Sequence, residues 1–244
     1  MTAIRLRNVT LRRGGRVVLD ALDLDLAERR IGLIGANGSG KSSLVRLFNG
    51  LLAADEGEVE VHGLKASEKA SELPRKVGFI FQNPDHQIIF PTVAEEVAFS
   101  LEQSGLPRRE ALKAAVPALA RFGREHWAER PVHALSEGEK QFLCIIAVLV
   151  MEPAVVVLDE PFSSLDLITR RRLEGLIATL PQQVITIAHE LDAFSVYDRV
   201  LWLDGGRVRL DGAPGEVVGA YRDWAEAQAA EQALPGDTLL EARP

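Results

Sequence analysis

Leu22-Asp23-Leu24-Asp25-Leu26 alternates strictly between apolar and acidic side chains. A period of two marks a strand with one face in a core and one in water. Ile4, Leu6 and Val9 stand among polar residues in the same way, so the chain opens on antiparallel β structure. Ile31 to Ile34 is a short apolar strand followed by a glycine-rich turn. Leu44, Val45, Leu47, Phe48, Leu51 and Leu52 then recur at helical spacing, and further short strands are predicted over 57–62 and 77–81.

From Pro84 to Gly138 the texture becomes helical. Thr92 followed by Glu95 is a capping-box start, and Val93, Val97 and Leu101 line one face of the helix behind it. Pro107 opens a second helix. Ser136 followed by Glu139 is another capping box, opening an almost wholly apolar helix through Met151, and a helix apolar on every face belongs inside a core. Strand texture returns at 155–158 and 184–188, apolar and β-branched as buried parallel strands are. The runs 200–203 and 207–210 flank Gly205-Gly206 and read as a hairpin. A last helix spans about 217–233, with a loose tail after Pro235. The outline is an α/β sheet domain, 1–83 with 139–212, interrupted by a helical subdomain at 84–138 and followed by a C-terminal helix and tail at 213–244.

With 244 residues, 47% hydrophobic and 26% charged, the chain is long enough to bury its own core, which excludes disordered, collagen-like and disulfide-miniprotein classes. A net charge of -7 gives no global attraction to nucleic acid. Cys144 is the one cysteine, and no intrachain disulfide exists. The longest strictly apolar run, Phe142 to Met151, falls well short of the ~20 residues that span a bilayer. Arg5 and Arg7 stand where an export signal needs apolar residues, so the expected place is the cytoplasm, with any membrane contact made through a partner. His62, His86, His126 and His133 have no metal-ligand spacing.

Gly35-Ala36-Asn37-Gly38-Ser39-Gly40-Lys41-Ser42 matches G-x-x-x-x-G-K-[ST] and sits between a predicted strand and a predicted helix. A triphosphate needs a ring of backbone N–H donors at close approach, which glycines permit and a helix N-terminus reinforces. Lys41 is expected at the β/γ-phosphates and the Ser42 hydroxyl on Mg²⁺, with Ser43 beside it. The apolar strand 155–158 ends in Asp159-Glu160. It delivers Asp159 to the strand's C-terminal edge, to hold Mg²⁺, and Glu160 to polarise the attacking water.

Leu135-Ser136-Glu137-Gly138-Glu139 resembles the signature motif of ABC-type ATPases, Gln82 their Q-loop glutamine, Ser164-Leu165-Asp166 their D-loop and His189 their switch histidine. Order and spacing agree from about residue 4 to 212. Phe81-Gln82-Asn83-Pro84-Asp85, with Gln87 and Thr92-Val93, is similar to the ATPase subunits of energy-coupling-factor importers, which take up vitamins, cobalt and nickel. Overall resemblance points to the biotin branch. The resemblance implies a P-loop NTPase (RecA-like) core and a head-to-tail pair of subunits, either identical or paralogous. Two ATP would lie between the phosphate loop of one subunit and Ser136 and Gly138 of the other. It implies Glu160, His189 and Gln82 as catalytic, Gln82 joining Ser42 and Asp159 around Mg²⁺, and Asp166 bridging the subunits. It also implies a transmembrane coupling protein, a membrane solute-binding protein, a peripheral place on the cytoplasmic face, and no nucleic acid. A soluble ABC ATPase of DNA repair or translation is the alternative, although Lys41 and Ser136 stand only 95 residues apart (136 minus 41) with no heptad run between them.

The chain departs from that family twice. Glu137 and Glu139 replace a glycine and a glutamine of the usual signature. Acids complement a helix N-terminus by ~0.3–1 kcal/mol but repel a γ-phosphate. Glu139 is therefore expected to fold back onto the Ser136 backbone and Glu137 to point away, leaving Ser136 and the Gly138 N–H for phosphate. Where relatives place an aromatic residue against adenine, this chain has Leu11-Arg12-Arg13, so Arg12 is expected either to stack there or to be a solvated basic strand end. Ile88, Ile89 and Phe90 are expected either to pack into the helical subdomain or to line a groove for short helices of the membrane partner.

Overall fold

Strict alternation in the first residues does build a two-faced sheet. The computed structural model describes residues 4–162 and 165–232. It runs β1 (Ile4–Arg13), β2 (Arg16–Leu26), β3 (Arg30–Ile34), α1 (Lys41–Phe48), β4 (Glu56–Val61), β5 (Leu64–Lys65), the one-turn helices α2 (Ala66–Lys69) and α3 (Leu73–Lys76), and β6 (Val77–Ile80). Then come α4 (Val93–Gln103), α5 (Arg108–Ala120), α6 (Glu137–Leu149), β7 (Val155–Asp159), α7 (Leu167–Thr179), β8 (Gln183–Ile187), β9 (Arg199–Asp204), β10 (Arg207–Gly212) and α8 (Pro214–Gln232). β2-β1-β4-β5 form an antiparallel sheet. β10-β9-β3-β8-β7-β6 form a second sheet, parallel except for the β9–β10 hairpin.

The central strands are apolar on both faces because both faces are covered. Val155, Val157, Ile185 and Ile187 join Leu44, Leu47 and Phe48 of α1 and the inner face of the first sheet. Val156, Leu158 and Val184 point the other way, onto Ile145 and Leu149 of α6 and Leu173 and Ile177 of α7. On α6, Leu143 and Ile146 enter a separate core with Val93, Val97 and Leu101 of α4 and Ala111, Ala115 and Leu119 of α5. The apolar run is thus buried on opposite sides by two cores. Val217, Tyr221 and Trp224 of α8 pack on Trp202 of β9.

Three local expectations are corrected. The helical pattern through Leu52 stops at Phe48, because Gly50 turns the chain at φ 76°; Leu52 still packs on the core from outside the helix, while Leu51 is exposed. The apolar run through Met151 leaves the helix after Leu149, as Glu152 enters the left-handed region at φ 52°. At Thr92 only half of the capping box forms. Its hydroxyl accepts from the Glu95 N–H at 3.4 Å, but the Glu95 carboxylate takes the Thr92 hydroxyl proton at 2.6 Å rather than the Thr92 N–H. The segment beyond Pro235 lies outside the described residues. Among the described residues no helix is long and apolar enough to cross a membrane.

Gly78 of β6 lies directly under α6. A Cβ there would sit 2.2 Å from Val148 Cγ1 and 3.2 Å from Pro153 Cγ. G78A is expected to lose about 1–3 kcal/mol by overpacking, and V148A made with it to recover part of the loss. Urea unfolding midpoints of the two variants check this; a G78A midpoint equal to the parent's would show that the contact yields freely.

Candidate active site

Register across the parallel strands sets the site. Leu33 of β3 lies beside Ile187 of β8, and Ile187 beside Asp159 of β7. The loop after β3, the acids at the end of β7 and the segment after β8 therefore leave the sheet at one level, the C-terminal edge where open α/β sheets bind ligands.

The glycine loop is held against β2 and β9. Gly35, Gly38 and Gly40 have φ of 145°, 80° and 105°, which side-chain-bearing residues rarely adopt. A Cβ at Gly35 would meet the Leu203 carbonyl at 2.1 Å, and one at Gly40 the Val18 carbonyl at 2.9 Å. Asn37 and Gly38 form the exposed crown of the loop; Ser42 and Ser43 are half-buried below it. α1 starts without a side-chain cap and with no acid in its first turn, so its N-terminal donors face an open, electropositive end. Inside the loop Lys41 Nζ donates to the Gly35 carbonyl at 2.8 Å and the Ala36 carbonyl at 3.0 Å. Burial lowers the Lys41 pKa, against the pull of the Glu160 and Asp159 charges. Ser39 Oγ is buried with no hydrogen-bond partner among the described residues. Unanswered donors, an ammonium and a cradle that a Cβ would fill together fit a polyphosphate.

Asp159 and Glu160, adjacent in sequence, meet different partners. Ser42 Oγ donates to Asp159 Oδ1 at 3.2 Å. Asp159 is 8% exposed; burial raises its pKa, and the Ser42 hydroxyl acts in the opposite sense. One hydroxyl and one carboxylate oxygen this close fit a small hard cation that keeps water and substrate oxygens as its other ligands. Among the described residues no group of three or more His, Cys, Asp or Glu could hold a metal ion. Glu160 has φ 52°, an unusual conformation for a glutamate, and its N–H is tied to the Ile187 carbonyl at 3.0 Å. That conformation brings its Oε1 to 2.9 Å from Nε2 of His189, which is half exposed. Glu160 and His189 also wall a cleft of about 790 Å³ on the α7 side, with Arg170, Glu174 and Tyr197.

Gln82 is exposed just past β6. Its neighbour Phe81 is gripped at both backbone groups: the N–H donates to Gln87 Oε1 at 3.3 Å, and the carbonyl accepts from Gln141 Nε2 at 3.2 Å.

The other predicted residues form a second group around Thr169. The Ser136 capping box is complete: Glu139 N–H to Ser136 Oγ at 3.3 Å, Ser136 N–H to Glu139 Oε2 at 2.9 Å. Glu137 is exposed. A Cβ on Gly138 would meet Thr169 Cγ2 at 2.5 Å. Asp166 caps α7, accepting from the Ile168 and Thr169 N–H groups at 2.9 and 3.0 Å and from the Thr169 hydroxyl at 2.7 Å; these donors hold its carboxyl below the usual range. Ser164 lies outside the described residues. The Arg12 guanidinium donates to Glu56 Oε1 at 2.7 Å.

Three contributors escaped the sequence reading. Thr169 joins Gly138 to Asp166. Arg130 binds Glu139 through both carboxylate oxygens. Glu96, buried in α4, accepts the Ile89 and Phe90 N–H groups, each at 2.9 Å, and leaves Ile89 69% exposed. Burial raises the Glu96 pKa and those two N–H groups lower it. Its only signal was an acid on an otherwise apolar helix face.

Comparison with known proteins agrees with this geometry. The family model described as ABC transporter matches residues 19–163. Biotin transport ATP-binding protein BioM of Rhodobacter capsulatus is 48% identical over 221 residues, 91% of this chain and 94% of that protein. Energy-coupling factor transporter ATP-binding protein EcfA1 of Ligilactobacillus salivarius is 39% identical over 211 residues, 84% of this chain and 75% of that protein. Among solved structures, cbiO1 of Clostridium perfringens, part of the ABC transporter complex cbiONQ, superimposes with a TM-score of 0.77 at 29% identity, covering 98% of this chain and 99% of that one.

The buried Asp159 charge has a measurable sign. Its pKa in the fold lies above that in the unfolded chain, so the folded state holds the proton more tightly and stability falls as pH rises through this titration. D159N removes that burden. Without nucleotide it is expected to melt a few degrees above the parent at neutral pH, with the gap closing on acidification. A gap that widened towards acid pH would reverse the assignment.

Proposed function

The chain belongs to the ABC transporter family, and from that premise we propose that it is the ATP-hydrolysing subunit of an energy-coupling-factor importer whose cargo is biotin. One observation carries the chemistry: a single sheet edge holds a glycine cradle with Lys41, the Ser42–Asp159 pair and the Glu160–His189 pair. The cargo rests on 48% identity to a relative named for biotin transport, since cargo in such importers is bound by a separate membrane protein.

ATP is the substrate. The loop N–H groups, Gly35 to Ser43, receive its phosphates, and Lys41 exchanges two carbonyls for phosphate oxygen. Ser42 and Asp159, with Gln82 as a third neighbour, would hold a magnesium ion, which supplies Lewis-acid polarisation of the phosphate oxygens. Glu160 takes the proton of the attacking water, a role worth typically 10²–10⁴ in rate, and His189 orients its carboxylate. Arg12 reaches the adenine after leaving Glu56, an exposed pair of the kind worth only ~0–1 kcal/mol.

On this reading two copies, or this chain and a paralogue, close head to tail. Ser136 and Gly138 of each complete the other's site, and Asp166 lies at the joint. We divide the chain as 1–83 with 139–212 for nucleotide, 84–138 for the helical subdomain and 213–244 for the C-terminal helix and tail. The membrane partner docks at the cytoplasmic face over a hollow of about 260 Å³ lined by Asp85, Ile88, Phe90, Val132, His133 and Lys140. Glu96 pins the backbone of Ile89 and Phe90, with Ile89 exposed between Ile88 and Phe90 of the lining.

E160Q is expected to lose at least about 10² of the hydrolysis rate and to form a closed pair in ATP and magnesium, seen by light scattering. A variant that stays single, or keeps its turnover, defeats the proposal. Replacing Ile88 and Ile89 by alanine is expected to abolish biotin uptake in cells while the purified chain still hydrolyses ATP; normal uptake would remove the docking hollow from the account.

A further inference from the structure

Glu139 poses an electrostatic conflict. An acid in the first turn of α6 suits the helix end, yet the two-copy reading aims that same end at the γ-phosphate of ATP. We infer that Arg130 is a positioning residue that removes the conflict by neutralising Glu139 and fixing the Ser136 tip, an inference that rests on the two-copy reading above.

Arg130 Nη1 donates to Glu139 Oε1 at 2.7 Å and Nη2 to Oε2 at 3.1 Å, a two-pronged pair that a lysine cannot copy. Oε2 of Glu139 accepts the Ser136 N–H as well. One carboxylate thus spans the guanidinium and the backbone of the serine offered to phosphate. The arginine is itself anchored: Nη2 also donates to the Ala134 carbonyl at 3.3 Å, and the guanidinium lies 5.5 Å from the ring centre of Trp127, a side chain buried in the α4–α5 core. The Arg130 hydrogen bonds favour the ionised Glu139 carboxyl, which is held below its usual range. The pair carries no net charge (+1 and -1), and Glu137, the next residue after the cap, is exposed to solvent.

The test is a cycle of R130M and E139Q, read as KM and kcat for ATP hydrolysis by the full chain with its membrane partners. R130M is expected to raise KM roughly ten-fold, the scale of a hydrogen bond to a charged group, with a smaller effect on kcat. Within the E139Q background the same substitution is expected to change KM less than about three-fold, since no charge remains to be neutralised. An R130M protein with the parent's KM, or an equal KM penalty in both backgrounds, overturns the inference. A second readout needs no nucleotide: hydrogen exchange at the Ser136 amide should quicken about ten-fold in R130M while the urea midpoint barely moves. Unchanged protection at Ser136 also overturns it. Faster exchange in a chain whose parent form hydrolyses no ATP upholds the Arg130–Glu139 positioning and defeats the motor reading instead.

Discussion

Parallel register between β3, β8 and β7 is the constraint on which the rest depends. Leu33, Ile187 and Asp159 stand side by side, and nothing near the site works if they do not. A slip of one residue would turn Asp159 from one face of the sheet to the other and send Val156 and Leu158 into the wrong core. The register is held by both cores at once. Val157 and Ile185 answer to α1, Val156 and Val184 to α6 and α7. Chemistry at the edge is thus secured by packing that contains no chemistry.

That security supports features the chain would otherwise shed. Asp159 is buried, Lys41 is folded into carbonyls at a lowered pKa, and Glu160 sits at positive φ. Each is unfavourable alone, and all three stand at the same edge of the sheet. Strain and desolvation gathered at one edge, beneath fully apolar strands, mark a place shaped for a ligand rather than for stability.

Much of this was legible in the chain. Alternation from Leu22 to Leu26, the apolar run before Asp159 and the Gly205-Gly206 hairpin each follow from local periodicity or turn chemistry, and each appears where expected. The phosphate loop and the Ser136 cap were readable because a fixed spacing encodes a fixed geometry. What escaped depends on contacts that no period announces. Arg130 lies nine residues before Glu139, across a loop, and Thr169 reaches Gly138 from another helix. Helix ends were misplaced for a related reason. Leu52 and Met151 look helical by spacing, but the backbone turns at Gly50, before Leu52, and at Glu152, directly after Met151, and an apolar side chain such as Leu52 can fill a core from a loop as well as from a helix.

Thr169 shows how motifs distant in sequence become one surface. Its methyl covers Gly138 at the start of α6, where even a Cβ would collide, and its hydroxyl binds Asp166 at the start of α7. The tips of α6 and α7 are therefore in register with each other, although β7 lies between them in the chain. Arg130 adds a third tie, from the α4–α5 layer to the tip of α6. That layer is therefore tied to Ser136 through Glu139, and the tip of α6 to Asp166 through Thr169. The hollow by Ile88 belongs to the same layer, since Ile88 packs on the α4–α5 core. Packed and hydrogen-bonded groups thus run without a break from that layer to the two helix tips, and none of them belongs to the sheet.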